Sequence, residues 1–199
     1  MVTHEAARDL ARRAKGKGGA MRTSGAMNAK TLRRLQRFRA EAIPANAIRN
    51  PGAPGVLGAV RGFLRRLSLA RFCSRSRARF EAHLDAAMER LRRRLPTEAH
   101  NWGVARKALN LFLRDCAYDH HLRARYGLAT IEPWLEVPLD SYVAKKLRKS
   151  QRGKGLERWP FLRHLDRTVS ARYQKLAQQV ANRKGICRVH LDLYWWRTR

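Results

Sequence analysis

An apolar stripe with helical spacing is the feature that most constrains the fold of this chain. Large apolar side chains recur at intervals of three or four residues, and the stripe stops at Pro96, which a helix interior does not tolerate. Its members are Phe80, Leu84, Met88, Leu91 and Leu95. Similar spacing returns elsewhere, whereas internal repeats and a credible set of strands are missing. The sequence therefore predicts an all-α fold.

Charge and loop signals separate the start of the chain from the rest. Residues 1–27 are basic and glycine-containing, and we assign them to a flexible arm. Residues 28–199 are predicted to form one compact helical domain that opens with basic helices, the first capped by Asn28 and another over 56–72. The motifs on which the functional argument depends lie within 97–196.

Helix caps and helix-breaking residues predict the bounds of the later helices and of the loop between them. Residues 103–118 are predicted to be helical, and two prolines favour an irregular loop over 128–139. Asp140 stands where the N-cap of the next helix belongs, and Thr168 is placed to cap the helix that follows it. We expect a short last helix that holds the pair Trp195–Trp196.

The charge balance points to a polyanionic partner. The 199 residues include 44 Lys and Arg against 15 Asp and Glu, a net charge of +29. Such an excess repels itself unless phosphates neutralise it, so nucleic acid is the expected partner. A ribosomal or nucleoid protein that only coats phosphates fits the charge about equally well. No apolar run approaches the roughly 20 residues of a membrane span, and no membrane partner is expected.

The cysteines indicate neither a disulfide framework nor a metal site. Cys73, Cys116 and Cys187 are odd in number and far apart, and their spacing matches no zinc or iron–sulfur ligand set. We therefore expect no metal and no cofactor. Reduced thiols suit a bacterial or phage-encoded cytoplasmic protein, and the first residues lack the apolar segment of a secretory signal. The Arg-rich composition of these first residues is also compatible with a transit peptide.

One lysine and one aspartate are candidate catalytic residues. Lys107 is expected in a hairpin-like turn before a helix, and Asp140 opens a later helix. Cleavage of an N-glycosidic bond builds positive charge on the sugar, which a carboxylate stabilises. A deprotonated and correctly aimed amine can attack the sugar carbon and form a Schiff base. The positive end of a helix dipole suits the carboxylate of Asp140 to this role.

Two segments resemble the helix–hairpin–helix superfamily of DNA glycosylases, the endonuclease III-like enzymes. Residues 103–110, Gly-Val-Ala-Arg-Lys-Ala-Leu-Asn, resemble the second half of the motif, and residues 137–143 resemble the segment with the family's catalytic aspartate. The closing segment 190–196 is similar to the last helix of the archaeal 8-oxoguanine glycosylase branch. The resemblance implies that Lys107 is the Schiff-base nucleophile, that Asp140 activates it, and that the target base is flipped into a pocket.

The chain departs from the family pattern at the hairpin. Asn-Trp-Gly-Val-Ala, residues 101–105, stands where the family usually has Leu-Pro-Gly-Val-Gly, so one glycine for close approach to phosphate is missing. The separation of Lys107 from Asp140 is longer than in endonuclease III and resembles that of the archaeal branch. The iron–sulfur cysteines of endonuclease III are also missing from the sequence.

Further residues are assigned to a base pocket and to the DNA backbone. Aromatic rings can stack on an extruded base, and polar side chains can read its edge. The base-pocket candidates are Trp134, Trp196, Asn110, Gln178 and Asp192. Basic side chains and close backbone amides bind phosphates. The DNA-binding candidates are Gly103, Arg106, Lys145, Lys146, Arg148, Lys149, Arg152 and Lys154. The plainer alternatives are core packing for the aromatic rings, a helix cap for the aspartate and solvated charges for the basic residues.

The sequence as a whole predicts a DNA glycosylase, with AP-lyase activity as a further step. Its substrate would be double-stranded DNA with a damaged or modified base, and no obligatory protein partner is inferred. Family analogy extends the candidates to modified bases of phage DNA, such as glucosylated hydroxymethylcytosine, in anti-phage defence. The alternatives are non-catalytic proteins: a DNA binder that uses the hairpin to grip phosphates, or an RNA- or ribosome-associated protein.

Overall fold

Helices form the regular structure of this protein. The computed structural model describes residues 27–48, 54–150 and 156–196, and no β-strand occurs within these ranges. The all-α prediction is therefore confirmed. The α-helices are α1 (Ala29–Glu41), α2 (Val56–Leu64), α3 (Arg77–Arg92), α4 (Trp102–Tyr118), α5 (His120–Arg125), α6 (Ser141–Ser150), α7 (Arg167–Arg183) and α8 (Leu191–Trp196).

Short 3₁₀ helices join these elements. They span Ala45–Ala47, Leu69–Phe72, Thr97–Ala99, Leu128–Trp134, Leu162–His164 and Arg188–His190. The prediction of an irregular loop over 128–139 is therefore wrong for its first half. Pro133 is accommodated because its fixed backbone angle suits a tight turn, which the amide of Leu135 closes on the carbonyl of Ile131.

Short polar side chains cap several helices. The side chain of Asn28 accepts a hydrogen bond from the Thr31 amide at 2.9 Å, which confirms the predicted cap of α1. The predicted cap at Thr168 is wrong, because Asp166 caps α7 by accepting a hydrogen bond from the Val169 amide at 2.8 Å. Aspartate is preferred to threonine at such a position, so the helix begins earlier than expected. The short last helix, α8, is present as predicted.

Two apolar clusters fill the interior. The first packs α1 to α5 together, and the predicted stripe of α3 is buried in it. The second packs α6, α7 and α8 around Tyr173, which is fully buried. Trp102 and Leu162 contact both clusters, so the clusters meet where α4 begins. This meeting point brings the start of α4 close to the loop that precedes α6.

The basic helices at the start of the described chain are packed into the domain. Leu32 of α1 and Leu64 of α2 are buried in the first cluster. The side-chain amide of Gln36 donates to the carbonyl oxygen of Leu67 at 2.7 Å, which ties α1 to the end of α2. Both helices are thus held by the first cluster, and residues 1–26, the greater part of the predicted flexible arm, lie outside the described ranges.

Candidate active site

Lys107 and Asp140 lie against each other in the structure. The Nζ atom of Lys107 is 3.5 Å from Oδ2 of Asp140, and the side chains are 8% and 27% exposed. Lys107 belongs to α4, whereas Asp140 immediately precedes α6. The fold therefore brings together the two residues that the sequence argument paired.

Asp140 uses its two carboxylate oxygens for different purposes. Oδ1 accepts a hydrogen bond from the amide of Val143 at 2.8 Å, and the main-chain carbonyl of Asp140 accepts one from Ala144. Asp140 is therefore the N-cap of α6, as the sequence predicts. Because Oδ1 is fixed in this way, Oδ2 is the oxygen that faces Lys107.

Lys107 lies in the second turn of α4, so the predicted helix over 103–118 is confirmed, whereas the hairpin-like turn expected at Lys107 is wrong. α4 already begins at Trp102, so the residues that correspond to the Gly-Val-Gly turn of the family are helical in this protein. Ala105 stands in place of the second glycine, and alanine is the residue most favourable to a helix. Lys107 consequently projects from a rigid element whose neighbours fix its direction.

Two cavities meet at the Lys107–Asp140 pair, and we call them together the Lys–Asp cleft. The first has a volume of about 580 Å³ and the second about 480 Å³. Both are lined by Asn46, Ala47, Lys107 and Asp140. Tyr118 and Trp196 lie in the wall of the first cavity, and Trp159 and Phe161 lie in the wall of the second. Each volume falls within the range of roughly 300–1,000 Å³ typical of small-molecule sites.

The segment between α1 and α2 supplies a wall of the cleft that the sequence argument missed. Ala42, Pro44, Asn46 and Ala47 line the first cavity. They stand in the basic N-terminal part, where no motif distinguishes them from an ordinary connection. Only the docking of α1 onto α4 and α5 brings this segment to the site.

Two of the five base-pocket candidates lie in the cleft. Trp196 lines the first cavity with 58% of its surface exposed. Asp192 lines the same cavity, but it is buried and one of its oxygens accepts a short hydrogen bond from Arg114. Arg114 also pairs with Asp115 at 2.8 Å, so the polar edge of the cavity is a connected ion-pair network.

The other three base-pocket candidates are not among the described residues that line the two cavities, and we correct their assignment. The ring of Trp134 packs against Phe80 with centroids 6.0 Å apart, because the first cluster needs a large apolar side chain there. Asn110 is buried and donates to Glu136 at 2.9 Å. Gln178 bonds to Asn182 at 2.8 Å, one turn further along α7.

Arg106 is a structural residue and not a phosphate contact. Its guanidinium donates to both carboxylate oxygens of Glu136 at 2.8 Å and to Asp85 at 2.7 Å, and it is buried. Burial disfavours both charges, yet the hydrogen bonds and opposite charges outweigh it. The pKa of Glu136 is therefore below its usual value, and the pKa of Arg106 is above it. The assignment of Arg106 to DNA binding is therefore corrected.

Gly103 serves close packing and not the approach of a phosphate. A Cβ atom at this position would lie 2.1 Å from the carbonyl oxygen of Leu162 and 2.8 Å from Cβ of Leu165. Only glycine lets α4 approach the backbone of the 162–165 segment so closely. The residue is buried, so its assignment to DNA binding is also corrected.

The basic residues of α6 remain at the surface near the cleft. Lys145 and Lys149 are exposed, whereas Lys146 is half-buried with Nζ 5.4 Å from the ring centre of Tyr142. Arg148 is also half-buried, and its Nε has no hydrogen-bond partner within the described structure. The two remaining candidates, Arg152 and Lys154, lie outside the described residues.

Buried polar side chains hold residues 134–140, which we call the Asp140 segment. Arg188 donates to the carbonyl oxygens of Trp134 at 2.8 Å and Leu135 at 3.0 Å. Gln174 brackets Val137, because it accepts from its amide and donates to its carbonyl. Glu136 is held by Arg106, as described above. These contacts fix the direction from which Asp140 enters the cleft.

A tyrosine in the cleft belongs to a hydrogen-bonded relay that the sequence argument missed. The hydroxyl of Tyr118 lies 2.8 Å from Nδ1 of His190, and Nε2 of His190 lies 3.2 Å from Glu132. Burial, together with nearby carboxylates, raises the pKa of Tyr118 to about 12. Tyr118 therefore stays protonated at neutral pH, and its hydroxyl keeps the hydrogen that a hydrogen bond requires.

Comparisons with known proteins do not assign the chain to a family: no family model, no curated protein and no solved structure matches it. Within the described residues, no group of three or more His, Cys, Asp and Glu side chains is arranged to hold a metal ion. In the same part of the chain, no helix is both long enough and apolar enough to cross a membrane.

Proposed function

We propose that this protein is a DNA glycosylase that acts through Lys107 and Asp140. The observation that supports this function best is the 3.5 Å approach of a buried lysine amine and a partly exposed carboxylate where two cavities meet. The net charge of +29 supplies the attraction that a DNA backbone requires. The resemblance of residues 103–110 and 137–143 to the helix–hairpin–helix glycosylases agrees with this assignment but does not establish it.

The proposed reaction begins with a nucleotide flipped out of the duplex. Its base enters the first cavity, whose wall includes Trp196 and Tyr118, two aromatic side chains of the kind that stack on an extruded base. Its sugar then lies at the Lys107–Asp140 pair. Asp140 Oδ2 accepts the proton that Lys107 must lose before it attacks, and the carboxyl group stabilises the positive charge that develops on the sugar.

Covalent catalysis follows from this arrangement. The neutral amine of Lys107 forms a bond to C1′ as the bond from C1′ to the base nitrogen breaks, and the base leaves with that electron pair. Tyr118 is the proton donor that we assign to the leaving base, with His190 supporting its hydroxyl. The attached amine loses a proton, O4′ of the sugar takes one up, and the bond from C1′ to O4′ breaks, which gives a Schiff base. Hydrolysis of the Schiff base leaves an abasic site; in the lyase reaction, loss of a C2′ proton instead breaks the bond from C3′ to the phosphate oxygen and nicks the strand by β-elimination.

A damaged or modified base is the substrate that we propose. The two cavities share Lys107 and Asp140 as lining residues, so a base held in one would place a bulky substituent toward the other. Glucosylated hydroxymethylcytosine of phage DNA has such a substituent. Repair of damaged genomic bases is the second candidate within the same activity.

Borohydride trapping tests the proposed chemistry. The full-length protein is incubated with duplexes that contain damaged, hydroxymethylated, glucosylated or ordinary bases, and both base release and covalent adducts are measured. We expect the Lys107→Ala variant to lose the adduct. The Lys175→Ala variant removes the same charge from an exposed position of α7 outside both cavities and should keep the adduct. Asp140→Asn should stop base release although asparagine preserves the cap of α6.

A non-catalytic nucleic-acid binder is the competing function. The exposed lysines of α6 favour it, because they could grip phosphates without any chemistry at the Lys–Asp cleft. If no base in the panel is released, or if Lys107→Ala and Asp140→Asn release bases at the wild-type rate, the glycosylase proposal is rejected. Tight duplex binding in that case would support the binder, and preferential binding of RNA would support a ribosome-associated role.

A further inference from the structure

A separate cleft lies between the end of α2 and the exposed face of α3. It has a volume of about 530 Å³ and shares no lining residue with the Lys–Asp cleft. Four arginines line this cleft, which we call the arginine cleft. These residues are Arg66, Arg71, Arg90 and Arg94. His83 and Ser68 also line it, and Phe63, Leu67 and Phe72 form its buried apolar floor.

The helical spacing of the sequence places these arginines on one cleft. His83, Ala86 and Arg90 recur every three or four residues and share one face of α3, which Arg94 continues just after the helix. Arg66 lies two residues after the end of α2, and Arg71 belongs to the 3₁₀ helix Leu69–Phe72. Three neighbouring elements therefore contribute guanidinium groups to the same opening.

The acidic residues of the flanking helices do not neutralise this cleft. The acidic residues of α1 and α3 all form ion pairs with arginines that do not line the arginine cleft. These acidic residues are Glu41, Glu81, Asp85 and Glu89. Among the described residues, no carboxylate lines the arginine cleft, and none of its arginines forms an ion pair. Arg94 instead lies with its guanidinium carbon 5.4 Å from the ring centre of Phe63.

A cluster of unneutralised guanidinium groups attracts oxyanions. Like charges on one opening repel one another until an anion occupies it, and a concave basic site concentrates the field. Guanidinium groups match the oxygens of a phosphate with paired hydrogen bonds, which makes arginine the usual residue for phosphate recognition. We propose that the arginine cleft is a phosphate-binding site, distinct from the Lys–Asp cleft and independent of any chemistry there.

Pyrophosphate binding to the full chain tests this site. Thermal unfolding is followed while pyrophosphate replaces chloride at constant ionic strength, so that general screening is unchanged. Pyrophosphate should raise the wild-type Tm. The Arg90→Gln/Arg94→Gln variant should bind it at least about tenfold more weakly. The control, Arg75→Gln/Arg79→Gln, makes the same charge change at exposed residues outside the cleft and should keep wild-type affinity. Arg66→Gln/Arg71→Gln repeats the test from the opposite wall if the first variant fails to fold.

Salt-dependent duplex binding identifies the source of the phosphate. If the cleft holds the DNA backbone, the slope of log K against log salt should fall by about two in the cleft variant and stay at the wild-type value in the control. An unchanged slope combined with lost pyrophosphate affinity assigns the site to a free phosphate compound. Equal effects of the cleft and control variants, or no stabilisation beyond that by chloride, would overturn the proposal. Neither result depends on base release, so this site and the glycosylase function fail or stand separately.

Discussion

At the scale of single residues, the Lys–Asp cleft depends on side chains with two functions each. Asp140 caps α6 with one oxygen and faces Lys107 with the other, so the same contact that begins the helix also aims the carboxylate. Tyr118 closes α4, lines the first cavity and is hydrogen-bonded to His190. A structural and a catalytic interpretation therefore do not exclude each other at these positions.

Tyr118 provides a residue-level test of the proposed mechanism. Tyr118→Phe should slow base release by roughly 100-fold, because the leaving base loses its proton donor while the ring remains for stacking. Duplex binding should change little. Base release is measured in single-turnover reactions, with Tyr126→Phe as the control, since Tyr126 is a half-buried tyrosine outside both cavities. Equal rates for wild type and Tyr118→Phe would remove Tyr118 from the mechanism.

At the scale of elements, the site depends on how closely α4 packs against the segments around it. Gly103 lets α4 contact the 162–165 backbone, and Arg106 ties α4 to the Asp140 segment through Glu136. The sequence motif that suggested a phosphate-binding hairpin is thus a packing motif in this fold. Local spacing predicted the helix, but it could not distinguish a glycine that meets a phosphate from one that meets a carbonyl.

Substitution of Gly103 tests this packing. Gly103→Ala should lower the free energy of unfolding by about 1–3 kcal/mol, because the added methyl group meets a backbone oxygen that cannot move alone. Gly58→Ala is the matched control in α2, where no heavy atom lies within 4 Å of the added Cβ. That control should be neutral or stabilising by up to about 1 kcal/mol. Urea unfolding measures both, and equal stability of the two variants would contradict the packing role.

The buried pair of Glu136 and Arg106 predicts the direction of a pH effect. The pKa of Glu136 is lower in the folded state than in the unfolded chain, so its contribution is full above the unfolded pKa, near 4.3, and is lost as the pH falls through the folded value. Glu136→Gln should lower the free energy of unfolding at pH 7 by about 1–3 kcal/mol, because buried Arg106 loses one charged partner and keeps Asp85.

The same substitution should make stability less dependent on pH below the unfolded pKa of a glutamate. Urea unfolding at a series of pH values measures this, with Glu157→Gln as the control. Glu157 forms an exposed pair with Arg172, so its removal should cost less than about 1 kcal/mol. An acid transition of wild-type steepness in Glu136→Gln would show that this carboxylate does not supply the linkage.

At the scale of the whole molecule, long-range packing explains what sequence patterns could not predict. The all-α class, the stripe of α3 and the cap at Asp140 follow from local spacing and were predictable. The burial of Arg106 was not, because it depends on Asp85 and Glu136, which the fold brings in from other elements. The wall near Asn46 was missed for the same reason, since only the docking of α1 places it beside Lys107.

The two apolar clusters should unfold together, because Trp102 and Leu162 contact both of them. Cys116 is a suitable probe: it is fully buried in the first cluster, and burial raises the pKa of its thiol well above the usual value. It should react with iodoacetamide only after unfolding. In a Cys73→Ser/Cys187→Ser background, the urea midpoint of Cys116 labelling should coincide with the midpoints of far-UV circular dichroism and tryptophan fluorescence. Labelling at a clearly lower urea concentration would mean that the first cluster opens alone, and α4 would then not be the rigid support that the position of Lys107 requires.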